Sequence, residues 1–423
     1  TCALPIYPTP VPWLISALGV VNRHLILGGL LRFRGLVLPE ADRARLRAAV
    51  NPDTVAFLGP AHPEFLTDWM IDKEISCLCS PLMAHWASYE IVNLSPAVRS
   101  FWLANNLIAN VPGGGGKAYS VRWAIAGHGV LLHPEGTATW QGERIATLLP
   151  GLADMAWEAA TTLAAQGSSR PVHLVPLVWR LVFTRNAHGP LARDLADLAR
   201  RVGVAVPIGD LAARFAALMP ALLAHQCRRL GLEAPTARER RDYFPAQATV
   251  LRQLRTTLAE RYGALDEDLT RAQFQLRKAM RERMTHDPDG VRADRARLFE
   301  LQRLANFDPA LYDRERLDQE RIAEVLKRMR ATLLTAQPGD VLRNTLPIAV
   351  APRRVHVRIA EPIAVHTVRA ACAPGDETQA RAALLATHHE RLQRTLDALG
   401  SELAGETRRH AVPNALWSSG AKR

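Results

Sequence analysis

The chain has 423 residues, 48% of them apolar, and a formal net charge of +12. This length and apolar content exclude a disordered or fibrous protein and predict two or three domains with sizeable cores. The excess of positive charge is compatible with a nucleic acid, an anionic membrane surface or a phosphate-bearing substrate, and it does not choose among them.

The five cysteines indicate neither a disulfide framework nor a zinc site. They are scattered, and no second close pair complements Cys77 and Cys79. Reduced thiols in a cytoplasmic protein are therefore predicted.

Residues 1–34 form an apolar segment interrupted by prolines. We expect no membrane-spanning helix here, because the run "WLISALGVV" is too short to cross a bilayer and no basic segment precedes it. Together with "HLILGGLL", it could instead lie on a membrane interface.

Residues 35–190 alternate between strand and helix patterns. Strands are predicted at "TVAFLG", "GVLLH" and "VHLVPLVWRLVF", and helices after Pro63, at "PAVRSFWLANNLI", at "AYSVRWAIA" and after Pro150. Such alternation predicts an α/β fold with a mixed, mostly parallel sheet flanked by helices.

The sequence pattern changes in residues 191–345, which are rich in arginine, alanine and leucine and show helical periodicity. Alternation of period two returns at "RRVHVRIAEPIAV", residues 353–365, and predicts one more strand. Residues 35–190 and 346–370 are therefore predicted to form one α/β domain that carries a large all-helical insertion, 191–345. A C-terminal helix and a polar tail complete the chain at 371–423.

The stretch "LGPAHPEFLTDWM", residues 58–70, places a histidine between a predicted strand and a predicted helix. Because proline disfavours the α conformation of the residue before it, His62 is expected to be extended at the carboxyl end of the strand, where α/β sheets bind ligands. A strand–turn–helix path would let the imidazole fold back toward Asp68, whereas a continuous strand or helix would not. The pair is either a general base with its carboxylate or a surface histidine beside a capped helix, and the spacing leaves both open.

A second polar strand end follows at "VLLHPEGTATW", residues 130–140. Glu135 projects beside a proline there, and Gly136 permits a tight turn that exposes backbone amides. Alone the segment indicates an ordinary turn, but two such strand ends in one sheet together favour a site.

Other motifs favour structural roles. The glycine-rich "VPGGGGKAYS" lacks two residues of the phosphate-binding loop pattern, and "HHE" at 388–390 lacks the spacing of a zinc site. We interpret them as a flexible loop and a solvated helix face. Helix-turn-helix spacing, zinc-finger ligands and an aromatic RNA-binding motif are missing from the sequence, so no nucleic-acid partner is predicted.

Together these motifs resemble the PlsC-like family of glycerolphosphate and lysophospholipid acyltransferases. The shared order is a histidine–aspartate motif after a strand (His62 and Asp68), the turn "PEGT" at 134–137, and the later apolar strand "HLVPLVWR". Gly151 and "VRIAEPIAV" also look like family features. The resemblance covers about residues 35–185 and 353–365.

The resemblance implies the acyltransferase fold and its chemistry. His62 would act as general base, assisted by Asp68, while a fatty acyl group moves from acyl-CoA or acyl carrier protein to a hydroxyl of a glycerol phosphate or lysophospholipid, a step of phospholipid biosynthesis. Glu135, Gly136 and Thr137 would help to hold the acceptor. No cofactor and no metal are implied, and a bacterial cytoplasmic protein, peripheral to the inner face of the plasma membrane, is expected.

Two features depart from the family pattern. The usual spacing is His-x4-Asp, and Thr67 stands at that position, so Asp68 lies one residue further on, with Glu64 a poorer substitute. The arginine that commonly binds the acceptor phosphate is missing between the two motifs, and Arg122 or Arg180 could stand in.

Two alternatives remain open from the sequence. One is a catalytically inactive, acyltransferase-like binding protein whose arginine-rich helices bind a partner. The other is an acyltransferase for a lipid acceptor that has no phosphate, which the missing arginine favours.

Overall fold

The computed structural model describes residues 7–64, 67–111, 114–236, 242–334 and 349–417. The chain divides into two compact units. The first comprises residues 1–139, 143–181 and 353–402, and the second comprises 140–142, 182–352 and 403–423.

The described residues contain ten strands and sixteen α-helices. The strands are β1 (Phe33–Val37), β2 (Val55–Pro60), β3 (Ala84–Ser88), β4 (Leu107–Asn110), β5 (Val130–Leu131), β6 (Val172–Phe183), β7 (Arg316–Leu317), β8 (Arg353–Ile359), β9 (Ile363–Ala364) and β10 (Val412–Pro413). The helices are α1 (Pro12–Val21), α2 (Glu40–Ala49), α3 (Thr67–Cys79), α4 (Tyr89–Val92), α5 (Pro96–Ala104), α6 (Gly116–Ile125), α7 (Gly151–Ala165), α8 (His188–Val202), α9 (Leu211–Leu230), α10 (Tyr243–Tyr262), α11 (Leu269–Arg283), α12 (Pro288–Ala305), α13 (Pro309–Tyr312), α14 (Gln319–Leu333), α15 (Val365–Ala370) and α16 (Glu377–Arg408).

The α/β unit is built on a mostly parallel, mixed sheet of eight strands flanked by helices, in the order β1-β8-β6-β2-β5-β3-β4, with β9 pairing β6. This confirms the predicted α/β class with its mixed, mostly parallel sheet. Strand β2 pairs in parallel with β5 and β6, so the chain segments that follow β2 and β5 leave the same edge of the sheet.

Both faces of the sheet are covered, which explains the continuous apolar run of the central strand. Along β2, Val55 and Phe57 pack into one apolar layer, and Ala56 and Leu58 pack into the other. The alternation follows from the two-residue period of a strand.

Among the described residues, three strands of the α/β unit escaped the sequence analysis, β1, β3 and β4, and so did the short β7 and β10 of the second unit. The last part of "PAVRSFWLANNLI" was predicted to be helical, and this was wrong. Helix α5 ends at Ala104, Asn106 has a φ of 60°, and β4 begins at Leu107. The left-handed backbone of Asn106 cannot continue an α-helix, and asparagine tolerates it better than most residues do.

The two apolar N-terminal pieces form one helical stretch, because α1 continues into a π-helix at Asn22–Leu30. Together Pro12–Leu30 is 19 residues long and contains an 18-residue window with a mean hydropathy of 1.3, long and apolar enough to cross a membrane by length and composition alone. The length argument against spanning therefore does not apply to the joined helix. The buried side of this helical stretch packs on α3. Asn22 donates to the Met70 carbonyl at 2.8 Å, and Arg23 pairs with Glu74 at 2.8 Å.

The second unit is helical, as predicted for most of its length. Helices α8 to α14 enclose a single apolar cluster that includes Phe215, Tyr243 and Phe307. Within the described residues its strand structure is limited to the short antiparallel pair β7–β10.

Candidate active site

The chain leaves the centre of the sheet at His62. The preceding Ala61 still donates its N–H to the Leu177 carbonyl of β6 at 3.1 Å. The N–H of His62 donates to Glu135 Oε1 at 2.6 Å, and its carbonyl accepts from the N–H of Thr139 at 2.9 Å. The backbone of His62 is therefore held on both sides by the loop that follows β5.

The imidazole of His62 folds back onto the start of α3, where its Nδ1 lies 2.5 Å from Asp68 Oδ2. Asp68 is buried, and its two oxygens also accept from the N–H of Glu64 at 3.1 Å. Helix α3 begins at Thr67, so the carboxylate that reaches His62 stands on the second helical residue. Of the two possible partners, the imidazole is bonded to Asp68.

The hydrogen bond to Asp68 decides which nitrogen of His62 can act as a base. While Asp68 is ionised it only accepts hydrogen bonds, so in that state the proton lies on Nδ1 and Nε2 keeps its lone pair. The side chain of His62 is 17% exposed, whereas that of Asp68 is 1% exposed. The arrangement can therefore accept a proton from a group outside while the carboxylate stays shielded from water.

Glu64 forms a buried ion pair with Arg353 and is not the partner of His62. The guanidinium of Arg353 lies 2.7 Å from Glu64 Oε1 and stacks 5.5 Å above the ring of Phe33. Arg353 opens β8, yet it meets a loop at the carboxyl end of β2. This is explained by the direction of the strand. Thr184 N–H donates to the Pro352 carbonyl and Ala360 N–H donates to the Pro176 carbonyl, so β8 is antiparallel to β6.

The "PEGT" turn folds as a clamp around His62. Glu135 is buried, and its second oxygen accepts from the N–H of Ala146 at 2.8 Å. Gly136 has a φ of 70°, and a Cβ there would lie 2.6 Å from Leu149. Both carboxylate oxygens of Glu135 are thus engaged with backbone amides, and this glutamate holds the loop together. Thr137 is half-buried in the same turn.

A second imidazole, His133, lies against the first. The two ring centroids are 4.1 Å apart with planes at 18°, and the edge of Trp179 closes the far side at 5.9 Å. Nε2 of His133 is 2.9 Å from Asp72 Oδ2, and its Nδ1 is 3.0 Å from the Ala61 carbonyl oxygen. From the sequence, His133 was interpreted only as a pocket-lining replacement for an aromatic residue of the family, and Asp72 was not singled out, although it stands one helical turn after Asp68.

Burial governs the protonation of the first pair. Burial, with a further contribution from His133, holds the pKa of His62 well below its usual range. Burial, reinforced by repulsion from Asp72 and Glu64, raises the pKa of Asp68. Desolvation disfavours the charged form of either group, so the pair favours a neutral imidazole.

The neighbouring groups respond differently. Burial alone would lower the pKa of His133, but the charge and hydrogen bond of Asp72 outweigh it, and the pKa is raised overall. Burial also raises the pKa of Glu135 to about 7, against the stabilising amides of Ala146 and His62. Of the two stacked rings, His133 is therefore the one that holds a proton more firmly.

His62, Asp68 and His133 each bring a ligand-type atom within 4.8 Å of the others, so they are candidates for a metal site. The 2.5 Å between His62 Nδ1 and Asp68 Oδ2 is shorter than the roughly 3.3 Å expected between two ligands of one tetrahedral zinc ion. Both nitrogens of His133 also have hydrogen-bond partners. The distances fit a hydrogen-bonded pair better than a shared metal.

The remaining candidates lie outside this cluster. Arg180 is buried in an ion pair with Glu143 at 2.6 Å, and Arg122 is exposed on α6. The prediction of a solvated face at 388–390 is wrong for His388, which is fully buried and bonded to the Gly59 carbonyl at 2.9 Å. The glycine-rich loop lies partly outside the described residues, at 112–113.

The four cysteines in the described part of the chain are free thiols, and Cys2 lies outside it. No known family model matches this chain, and no curated protein matches it. The functional argument therefore depends on the geometry of the site.

Proposed function

We propose that the chain is an acyltransferase of the PlsC-like type, whose α/β unit has the fold of that family. It would move a fatty acyl group from acyl-CoA or acyl carrier protein to a hydroxyl of a glycerol phosphate or lysophospholipid. The observation that carries this proposal is the 2.5 Å hydrogen bond between His62 Nδ1 and Asp68 Oδ2 at the carboxyl end of a central strand. It leaves Nε2 of His62 available to a hydroxyl.

The proposed reaction is a direct transfer. Nε2 of His62 takes the proton from the acceptor hydroxyl while the oxygen attacks the thioester carbonyl. The tetrahedral intermediate then breaks its carbon–sulfur bond, and the imidazolium returns the proton to the departing thiolate. Asp68 fixes the tautomer and stabilises the imidazolium, as in other carboxylate–histidine pairs. General-base assistance of this kind contributes about 10²–10⁴-fold to a rate.

The same bond supports an enzyme over an inactive scaffold. A binding protein has no use for a buried carboxylate aimed at a partly exposed imidazole, and burying Asp68 among other carboxylates costs free energy. Titratable groups perturbed by burial and by neighbouring charges cluster at functional sites. In the "PEGT" turn, both carboxylate oxygens of Glu135 are already bonded to backbone amides, so we assign contact with the acceptor to Thr137.

The two arginines that could bind an acceptor phosphate, Arg122 and Arg180, bear on the class of acceptor. Arg180 is already paired with Glu143, and Arg122 is exposed on α6. A lipid hydroxyl without a neighbouring phosphate is therefore the second acceptor class that we propose to test beside the phosphate-bearing ones.

We also propose a peripheral association with the inner face of the plasma membrane. The helical stretch Pro12–Leu30 exposes 72% of Trp13 and 67% of Leu25. Exposed aromatic and aliphatic side chains on one helix favour the membrane interface, and the net charge of +12 favours anionic lipids and an acidic carrier protein.

The test is an acyl-transfer assay with acyl-CoA and acyl carrier protein donors and a panel of glycerol phosphate, lysophospholipid and amino-lipid acceptors. We expect wild type to turn over at least one acceptor and His62→Ala to lose about 10²-fold or more in kcat. The matched control is His128→Ala, which removes another histidine in contact with an aromatic ring, tilted against Trp123 at 4.5 Å. Equal turnover by His62→Ala and wild type would end the proposal.

A further inference from the structure

Two imidazole–carboxylate pairs lie side by side in the α/β unit, and the proposed chemistry uses one of them. His133 stacks on His62 at 4.1 Å, and Asp72 contacts His133 as Asp68 contacts His62. The two aspartates are four residues apart on α3, so one face of this helix supplies both carboxylates.

The hydrogen-bond partners decide which ring carries the positive charge. A backbone carbonyl only accepts hydrogen bonds, so Nδ1 of His133 must carry the proton that it donates to the Ala61 carbonyl. Its Nε2 faces the buried carboxylate of Asp72, which favours a second proton on the same ring. His62 is bonded to a single carboxylate through Nδ1, and this needs one proton.

We propose that His133 is a positioning residue that, as the charged ring of the stacked pair, holds His62 in place and keeps it neutral. This inference rests on the acyl transfer proposed above. Two positive rings at 4.1 Å would repel each other, so a proton on His133 opposes a proton on His62. The base then stays in its accepting form at a lower pH than an isolated imidazole would.

Several titratable groups face His133 from the surrounding elements. They are Asp68 and Asp72 on α3, His62 after β2, Glu135 after β5 and His85 on β3, while Glu64 lies against Asp68. Glu64 is neutralised by Arg353, and burial lowers the pKa of His85 to about 3, so that ring is uncharged in the working range. Burial raises the pKa of Glu135 to about 7, and the ionised carboxylate of Glu135 favours the charge on His133.

The consequence lies in the acid limb of the pH–rate profile. A general base works only when it is unprotonated, so the acid limb of kcat/KM follows the protonation of the His62–Asp68 pair. With a charged His133 beside it, this limb lies at low pH. Without that charge it moves to higher pH.

The test compares two variants that remove the charge in different ways. His133→Phe keeps a stacked aromatic ring without ionisable nitrogens, and Asp72→Asn removes the carboxylate that favours the charge. His128→Phe is the matched control, because it makes the same exchange at a histidine that packs on the ring of Trp123 outside the site. The ring nitrogens are followed against pH by NMR of the substrate-free, ¹⁵N-histidine-labelled chain, with the His62 signals identified by their loss in His62→Gln.

We expect the protonation midpoint of His62 to rise by about one pH unit or more in both variants and to stay in place in the control. In acyl transfer, kcat should fall more at pH 6 than at pH 8 while KM changes little. A folded His133→Phe with an unmoved His62 midpoint would overturn the inference, and if that variant does not fold, Asp72→Asn decides. Because the NMR readout needs no substrate, a shifted midpoint without any acyl transfer would reject the proposed function alone, whereas transfer without a shift would reject the role of His133.

Discussion

Replacing Glu135 by glutamine tests the clamp that holds His62. The pKa of this buried carboxyl is raised from 4.5 to about 7 on folding. Between these pH values the folded chain binds more protons than the unfolded chain, so the free energy of unfolding falls as the pH rises. The stabilising contribution is complete below pH 4.5 and is lost by about pH 7. At about 1.4 kcal/mol per pKa unit, the loss amounts to about 3 kcal/mol.

Glutamine does not titrate, so Glu135→Gln should lack this dependence on pH. Its amide can accept from only one of the two backbone N–H groups, those of His62 and Ala146, which adds a cost of about 1–3 kcal/mol at every pH. The stability advantage of wild type over the variant should therefore shrink by about 3 kcal/mol from pH 4.5 to pH 7.

The measurement is urea unfolding at several pH values. Unfolding is monitored through the hydrogen exchange of the β2 amides, so that the α/β unit is observed by itself. Glu158→Gln, at an exposed glutamate of α7, reports the effect of the substitution alone. Parallel stability curves for wild type and Glu135→Gln would show that the carboxyl is not buried between these amides, and the clamp would have to be abandoned.

Three further predictions follow from the site and the N-terminal helix. Asp68→Asn keeps the shape of the side chain but no longer favours the Nδ1–H tautomer of His62. In steady-state acyl transfer, kcat should therefore fall about 10²–10⁴-fold while KM stays nearly unchanged. An unchanged kcat would contradict the role assigned to Asp68. Arg353→Met leaves Glu64 buried without its arginine and should cost about 3–5 kcal/mol in urea unfolding. Adding Glu64→Gln should recover much of that loss, and strictly additive losses would speak against the pair. Replacing both Trp13 and Leu25 by serine should weaken co-sedimentation with anionic vesicles at least about tenfold, and equal binding by wild type and the double variant would count against an interfacial helix.

The sequence by itself determined the α/β class and much of the chain path around the site. The apolar run before His62 is typical of a buried strand of a covered sheet, and Pro150 marks the start of α7 because proline has no N–H to lose there, whereas α3 begins at Thr67, four residues after Pro63. Strand β2 and helix α7 lie where these signals placed them, within a residue or two. Short strands such as β3 and β4 carry too few residues for a periodic signal, and their pairing depends on neighbours far away in the chain.

Only the tertiary structure decided which side chains act together. The spacing left Asp68 and Glu64 as competing partners of His62. The path of the chain into α3 places Asp68, rather than Glu64, in contact with the imidazole. The contact of His133 with Asp72 joins residues 61 positions apart, and that of Glu64 with Arg353 joins residues 289 positions apart. Local sequence patterns specify backbone conformation over one or two turns, whereas these contacts depend on how the strands are ordered and on the reversed direction of β8.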